Sequence, residues 1–292
     1  MTATVFLLLS VLVVVYLLHM RKRSLYAQDH QPALGFRQSF HVCILFKVHS
    51  GQKTLESARG FTHQILSGGD IRLIYAGQVA FSIDSDQLGP ARWDGILMFE
   101  LPSRERFNAA YSERFRRSRN LFSASYLSGM QRSRARSFAV PYIQLRRLLA
   151  DFFWNRTAHS PLVHLPELKA LPRYDNVRGY ARRLAAAYEI NSEALVVYNL
   201  GKRPPLASGK DYTDDVKPLM VRLAALGLGA LHIGRFARIE HNAVFDSVHV
   251  VQYPDAKSFS ELLQSQFYST IAESPAFADR LLVASVPVTH RL

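Results

Sequence analysis

The chain has 292 residues, of which 48% are hydrophobic, and it carries a formal net charge of +13. This length and composition leave room for two domains with their own cores and argue against a disordered chain. The single cysteine, Cys43, cannot form an internal disulfide, and it rules out a cysteine-based zinc site.

The first predicted element is an apolar helix at the N-terminus. Residues 4–20 are almost entirely apolar, and a helix of this length approaches the roughly 30 Å of a bilayer core. Arg21, Lys22 and Arg23 follow directly, which places the C-terminal side in the cytoplasm by the positive-inside rule. We therefore expect a single-pass anchor and basic stop (1–23) in the inner (plasma) membrane. A signal peptide or a buried helix is the alternative.

After a linker (24–38), the next elements form a unit over residues 39–136. Alternating side chains predict a strand over 40–48, and apolar residues at helical spacing predict a helix that ends near residue 67. Strands over 71–83 and 93–101 follow, with a polar turn between them. A helix over 103–120 and a strand over 123–131 complete a β-α-β-β-α-β order, which is the ferredoxin-like pattern.

The same order recurs over residues 193–292, after a helical connector (137–192) that is too apolar to be a free linker. Strands are predicted over 194–200, 228–239, 243–253 and 281–288, and helices over 213–226 and 256–270. An aromatic-Asp pair opens the third strand of both units, as Trp93-Asp94 and Phe245-Asp246. A proline and then a phenylalanine follow each of these strands, which indicates a repeated unit.

Four stretches carry a resemblance to a known family: Ile74-Tyr75-Ala76-Gly77-Gln78, Trp93-Asp94, Leu101-Pro102-Ser103-Arg104 with Phe107, and residues 212–229 of the second unit. In these stretches the chain resembles a family of small proteins of unknown function in the dimeric α+β barrel superfamily. The antibiotic-biosynthesis monooxygenases, certain polyketide cyclases and the muconolactone isomerases belong to the same superfamily. The resemblance implies an α+β fold class, in which two ferredoxin-like βαββαβ repeats form an intrachain pseudo-dimeric α+β barrel behind one N-terminal transmembrane helix.

The candidate catalytic residues are Asp94 and Asp246, which begin the third strand of each unit. Each opens a strand face that is otherwise apolar, where a carboxylate must be hydrogen-bonded, paired or close to solvent. Either could act as a general acid or base if burial raised its pKa. The alternative is a carboxylate that caps a turn or pairs with an arginine such as Arg72 or Arg235.

Four residues are candidates for contacts with a ligand. Tyr75 and His232 occupy equivalent strand positions, and Trp93 and Phe245 precede the two aspartates. A buried tyrosine or histidine with one satisfied hydrogen bond is the alternative. The scattered histidines have no metal-ligand spacing, and no nucleotide or flavin motif is present, so we expect neither a metal nor a cofactor.

The excess positive charge is clustered around the second helix of the first unit. We expect Arg114, Arg116, Arg117 and Arg119, together with the basic stop after the anchor, to lie at the membrane surface, because anionic lipid headgroups attract such residues. A solvated arginine-rich face is the alternative. Nucleic acid is not expected as a partner, since the chain has no recognisable module or stacking aromatics along the basic track.

Two function classes remain open. The first is a cofactor-independent enzyme, of oxygenase or isomerase type, that acts on a small hydrophobic molecule; it requires an interior cavity with the aspartates pointing inward. The second is a non-catalytic module that binds a ligand or a partner protein at the cytoplasmic face of the membrane. A filled barrel with both aspartates at its rim would favour the second class. The sequence does not specify the oligomeric state.

Overall fold

The computed structural model describes a β-barrel and the helices on one side of it. The described residues are 9–11, 13–14, 39–67, 69–83, 93–131, 195–202, 229–237, 239, 245–253, 259, 262–263, 279–289 and 292, with the backbone alone for 131 and 229–237. The connector and the helix predicted over 213–226 lie outside them, as does most of the predicted anchor. Among the described residues, no helix combines the length and the apolar character needed to cross a membrane.

The first half contains four strands and two helical segments. Strand β1 (Phe40–Lys47) leads to helix α1 (Thr54–Leu66), and β2 (Arg72–Ile83) and β3 (Gly95–Leu101) follow. The second helical segment is divided into α2 (Arg104–Arg106), a π-helical turn (Phe107–Tyr111), α3 (Ser112–Ser118) and a 3-10 turn (Arg119–Leu121), before strand β4 (Ala124–Gln131). We call residues 104–121 the arginine helix. It was predicted as one regular helix.

The ends of these helices follow from local chemistry. The side chain of Ser103 accepts a hydrogen bond from the backbone N–H of Arg106 (3.2 Å), which is the usual way to satisfy a free donor at a helix start. Pro102 precedes this cap, and because proline has no backbone N–H, it leaves no donor without a partner between β3 and the helix. After α1, Gly69 has a positive φ of 86°, a conformation that glycine adopts without steric cost.

The second half adds four strands. They are β5 (Leu195–Lys202), β6 (Gly229–Ala237), β7 (Ser247–Tyr253) and β8 (Asp279–Pro287). Phe259, Leu262 and Leu263 are helical and buried, within the helix predicted over 256–270.

The eight described strands form a closed antiparallel barrel in the order β1-β3-β2-β8-β5-β7-β6-β4. Each half contributes four adjacent strands in the same relative order, β4-β1-β3-β2 and β8-β5-β7-β6. The halves meet where β2 pairs with β8 and where β4 pairs with β6. The structure is thus a mixed α+β fold whose curled antiparallel sheet fits the predicted dimeric α+β barrel.

The strand register shows which positions of the two halves correspond. A register shift falls between Leu73 and Tyr75 in β2, and another falls between Ala230 and His232 in β6. Beyond these shifts, Tyr75 pairs with Met98 and His232 pairs with Val250. An extra residue in one strand is a β-bulge, and it reverses the alternation of side chains. Tyr75 and His232 thus each follow the register shift of their strand, β2 and β6.

The barrel separates two cores. The inner core combines side chains of both halves: Cys43, Leu45, Ile74, Tyr75, Trp93, Ile96, Met98, Tyr126, Met130, Val196, Tyr198, Leu200, Phe245, Val248, Val250, Leu281 and Val283. The outer core lies between the first half of the sheet and its helices, and it includes a group of phenylalanine rings. Phe61 packs against Phe99 and Phe115 at ring-centroid distances of 6.1 and 5.9 Å. Tilted and edge-on aromatic pairs of this kind are favourable.

The residues that follow β8 attach the second half to the first. Pro287 has no backbone N–H, so it cannot continue the β-ladder as a donor. The next residues replace the missing bond, since the Val288 N–H donates to the Ala76 carbonyl (2.8 Å) and the Ala76 N–H donates to the Thr289 hydroxyl oxygen (2.8 Å). Val288 and Leu292 also pack into the outer core of the first half.

Candidate functional site

Asp94 and Asp246 lie at the same end of the barrel. Strands β1 and β5 point in the same direction, because antiparallel steps through β3, β2 and β8 connect them. The N–H of Asp94 donates to the carbonyl of Phe46 (2.9 Å), and the N–H of Asp246 donates to the carbonyl of Gly201 (2.8 Å). Both aspartates therefore begin their strands at one mouth, which we call the aspartate mouth.

The carboxylate of Asp94 has a structural partner. Its Oδ2 accepts a hydrogen bond from the backbone N–H of Val48 (2.8 Å), just beyond the end of β1. The side chain is partly buried, and the structure thus places it in the turn-capping role. Arg72, considered as its partner, instead pairs with Glu100. Asp246 is also partly buried, and the side chain of its suggested partner Arg235 is not described.

Aromatic side chains fill the aspartate mouth. Trp93 is 7% exposed and Phe245 is 2% exposed, and both belong to the inner core. The ring of Phe245 meets the ring of Tyr126 edge-on, with centroids 6.0 Å apart and an interplanar angle of 86°. Both ligand-binding candidates at this mouth therefore contribute to packing of the barrel interior.

Tyr75 and Tyr198 occupy the middle of the barrel. The Tyr75 hydroxyl lies 2.7 Å from Ser285 Oγ on β8, and the two tyrosine rings have centroids 5.6 Å apart. The Tyr198 hydroxyl donates to the Met98 sulphur at 3.7 Å. This last contact runs from β5 in the second half to β3 in the first half, across the lumen. The structure describes only the backbone of His232.

Burial suppresses the ionisation of the groups in this interior. It raises the pKa of the Cys43 thiol to about 12, although a hydrogen bond with Ser128 acts in the opposite direction. It also raises the pKa of Tyr198 well above its usual value. Because the thiolate and the phenolate are the reactive forms, burial disfavours nucleophilic chemistry at both residues.

A polar cluster that sequence reasoning missed lies at the opposite mouth. The strand register places Glu100 directly between His41 on β1 and Arg72 on β2. Arg72 Nη2 lies 2.5 Å from Glu100 Oε2, and His41 Nε2 lies 3.6 Å from Glu100 Oε1. Ser39 Oγ is 3.3 Å from the same histidine nitrogen. We call these four residues the histidine-glutamate cluster.

The electrostatics of this cluster favour an ionised Glu100. Its pKa is lowered to about 2, first by the contact with His41 and further by Ser39 and Arg72, while burial acts in the opposite direction. Ser39 and Glu100 both approach one ring nitrogen of His41, whereas a nucleophile-base relay uses the two ring nitrogens separately. The cluster therefore has the geometry of a charge-stabilising group.

The cluster occurs in one half of the barrel. The register of the second half places Val196, Gln252 and Gly229 where the first half has His41, Glu100 and Arg72. The available signal in the sequence was a polar residue, Glu100, at the end of a strand face that also contains Ile96 and Met98. Among the described residues, histidine, cysteine and acidic side chains form no group of three or more that could hold a metal ion.

The arginine helix presents two kinds of cation. Arg116 and Arg117 point outward and share the carboxylate of Glu113, at 2.8 and 3.1 Å. Arg114 lies over the ring of Tyr111, with 5.5 Å from its Cζ to the ring centroid. Arg119 donates to Ser125 Oγ (2.6 Å), and burial lowers the pKa of Arg119. Arg21, Lys22 and Arg23 lie outside the described residues.

Comparison with known proteins gives distant structural likenesses alone. No family model and no curated protein matches the sequence. Among solved structures, chlorite dismutase from Candidatus Nitrospira defluvii in complex with imidazole is 7% identical with a TM-score of 0.47, over 89% of this chain and 95% of that one. The encapsulated DyP-type peroxidase from Mycobacterium smegmatis is 13% identical with a TM-score of 0.42, over 89% and 96%. An aldoxime dehydratase has a TM-score of 0.28 at 10% identity, over 89% and 84%. At these scores, none of the likenesses indicates the chemistry of this chain.

Proposed function

We propose that the protein is a membrane-tethered, non-catalytic binding module at the cytoplasmic face of the inner membrane. The observation that carries this proposal is the contact of the Tyr198 hydroxyl with the Met98 sulphur, 3.7 Å apart across the lumen. Eight-stranded barrels either fill their interior with side chains or hold one small ligand, and a lumen crossed in this way belongs to the first kind. Binding is therefore assigned to the mouths and the outer surface of the barrel.

The titratable groups of the barrel support the same proposal. Asp94 caps the end of β1 through the Val48 N–H. Glu100, whose pKa is lowered to about 2, stays ionised at neutral pH and is a weak proton acceptor. An acid-base enzyme needs a group whose pKa lies near the working pH, and Glu100 does not supply one.

We further infer that the two halves are tandem copies of one ferredoxin-like unit, from an uncharacterised family related to the antibiotic-biosynthesis monooxygenases. The same relative strand order in both halves supports this origin. So do the register shifts at corresponding places in β2 and β6. The N-terminal tether is supported by the apolar composition of residues 4–20 and by the basic residues after them.

The second candidate function is a cofactor-independent enzyme, of oxygenase or isomerase type, acting on a small hydrophobic molecule. One observation favours it: the histidine-glutamate cluster is built in one half of the barrel and has no counterpart in the other. Under this candidate, binding of the molecule should be lost in His41→Gln and retained in Val196→Ala at the corresponding position of β5.

A thermal-shift screen of the detergent-solubilised full chain tests the assignment. We expect no small hydrophobic molecule to stabilise the wild type through the lumen. Met98→Ala is the positive control, because the apolar cavity that it leaves can take up small apolar molecules. A compound that stabilises the wild type and Val196→Ala but loses this effect in His41→Gln would contradict the proposal and support the enzyme.

Membrane topology has its own test. A reporter fused after Leu292 should be active in the cytoplasm, because the basic residues 21–23 follow the apolar segment. Activity on the opposite side of the membrane would contradict the proposed orientation. This outcome leaves the assignment of the barrel interior unaffected.

A further inference from the structure

The outward face of the arginine helix has a distinct layout. Arg106 lies near its start, and Arg116 and Arg117 lie near its end, all with exposed side chains. Between them, Asn108, Ala109 and Ala110 are exposed and short. A helix rises about 1.5 Å per residue, so the cationic ends are separated by roughly 16 Å. These short side chains leave the part of the face before Glu113 without long groups that would hold another surface at a distance.

The positive charge of this face exceeds its local compensation. From Arg104 to Arg119 the sequence has six arginines and two glutamates, a formal excess of +4. Arg106 is paired with Asp70, in the loop between α1 and β2, at 2.6 Å. Arg116 and Arg117 share the single carboxylate of Glu113, and their side chains are 74% and 79% exposed. Two exposed arginines that share one carboxylate have a net charge of +1 at the solvent-facing surface.

The opposite side of the same helix holds it rigidly on the barrel. Phe107, Tyr111 and Phe115 are buried in the outer core. The π-helical turn frees the Asn108 carbonyl, which accepts a hydrogen bond from the Ser112 hydroxyl at 3.0 Å. The arginine pair therefore projects from a fixed surface, so binding it does not require ordering a mobile segment.

We propose that the exposed face of the arginine helix, with Arg116 and Arg117 as its main contacts, docks on the anionic headgroups of the membrane to which the chain is tethered. The inference rests on the proposed membrane tether and names the surface that meets the bilayer. The stretch 24–38 can span at most roughly 50 Å, which is enough for the helix to lie along the membrane plane. Arginine forms bidentate contacts with phosphate, the group that anionic phospholipids present.

A fluorescence experiment on the full chain in lipid nanodiscs tests this surface. A dye is attached at Ala109→Cys, and energy transfer to labelled headgroups is compared between phosphatidylcholine discs and discs that also contain phosphatidylglycerol. The native thiol does not interfere, because Cys43 is buried. We expect stronger transfer in the anionic discs, reduced to the phosphatidylcholine level by Arg116→Gln/Arg117→Gln. The matched control is Lys53→Gln/Arg59→Gln, at the N-cap of α1 and within α1, and it should retain the stronger transfer. The stronger transfer of the unsubstituted labelled chain should also be lost at about 1 M salt, where the screening length is about 3 Å.

Vesicle flotation separates this inference from the tether. If the chain fails to enter nanodiscs, the tether is wrong, and the same chain is then mixed with preformed vesicles. Flotation with anionic but not with zwitterionic vesicles, weakened about 30-fold by the Arg116/Arg117 double substitution, would still support the docking surface. Equal transfer in both disc types, or equal behaviour of the double substitution and the wild type, overturns the proposal. Binding to double-stranded DNA without flotation also overturns it, by assigning the surface to nucleic acid.

Discussion

Replacing Gly77 by alanine places a methyl group inside the barrel where the two halves meet. A Cβ atom at this position would lie 2.5 Å from the Tyr75 hydroxyl oxygen, 2.7 Å from Ser285 Oγ and 2.8 Å from Ser285 Cβ. Tyr75 belongs to the first half and Ser285 to the second, and their hydroxyl groups are 2.7 Å apart. The methyl group therefore needs the space that this hydrogen bond occupies.

The expected loss of stability has two parts. Overpacking of a well-packed core costs about 1–3 kcal/mol, and the loss of a buried hydrogen bond costs about 1 kcal/mol more. We therefore expect Gly77→Ala to lower the free energy of unfolding by about 2–4 kcal/mol. For a domain of this size, that corresponds to a fall in Tm of about 5–15 °C. Circular dichroism of the detergent-solubilised full chain during heating measures it.

Two comparisons isolate the steric cause. Gly60→Ala on α1 is the matched control, since the nearest atom to its added Cβ is Leu121 Cδ1 at 3.9 Å; it should stabilise the chain by about 0.5–1 kcal/mol. In a Tyr75→Phe/Ser285→Gly background the three close atoms are absent, and Gly77→Ala should cost less than about 1 kcal/mol. An unchanged cost in that background, or no cost in the wild type, refutes the reasoning.

Three further predictions concern single contacts. Glu100→Gln should lower the free energy of unfolding at neutral pH. Because the folded pKa of Glu100, about 2, lies below the ordinary 4.5, this loss of stability should shrink as the pH falls from 4.5 towards 2. A loss that does not change with pH in urea titrations would contradict the ionic role of His41. Thr289→Val should cost about 1 kcal/mol by removing the acceptor of the Ala76 N–H, whereas Thr289→Ser should retain most of the stability in the same titration. Cys43, buried with a pKa of about 12, should react with maleimide in urea and resist it in the folded chain; rapid labelling of the folded chain would show that the interior is open.

The positions of the strands could be predicted from the sequence because their pattern is local. The alternation around Cys43 predicted β1, and the repeated aromatic-Asp pairs predicted the starts of β3 and β7. Met98 shares a strand face with Ile96 because side chains two residues apart lie on the same side, and both belong to the inner core. These signals lie within one element and need no knowledge of its neighbours.

The histidine-glutamate cluster could not be predicted, because it depends on register between strands. His41, Arg72 and Glu100 are far apart in sequence, and a shift of one residue in either pairing would separate them. Arg72 was therefore considered as a partner of Asp94, at the other end of β3. The π-helical turn was missed for a related reason, since Phe107 and Tyr111 have the spacing of an ordinary helix.

The pairing of β2 with β8 has a consequence for biosynthesis. Strand β8 leaves the ribosome after all the other described strands, yet it must insert between β2 and β5. Until then, the nascent first half presents the outer edges of β2 and β4 without their barrel neighbours. Bare strand edges invite pairing with other chains, and such distant pairings form slowly. While the second half is being translated, these two strand edges of the first half are therefore open to pairing with other chains.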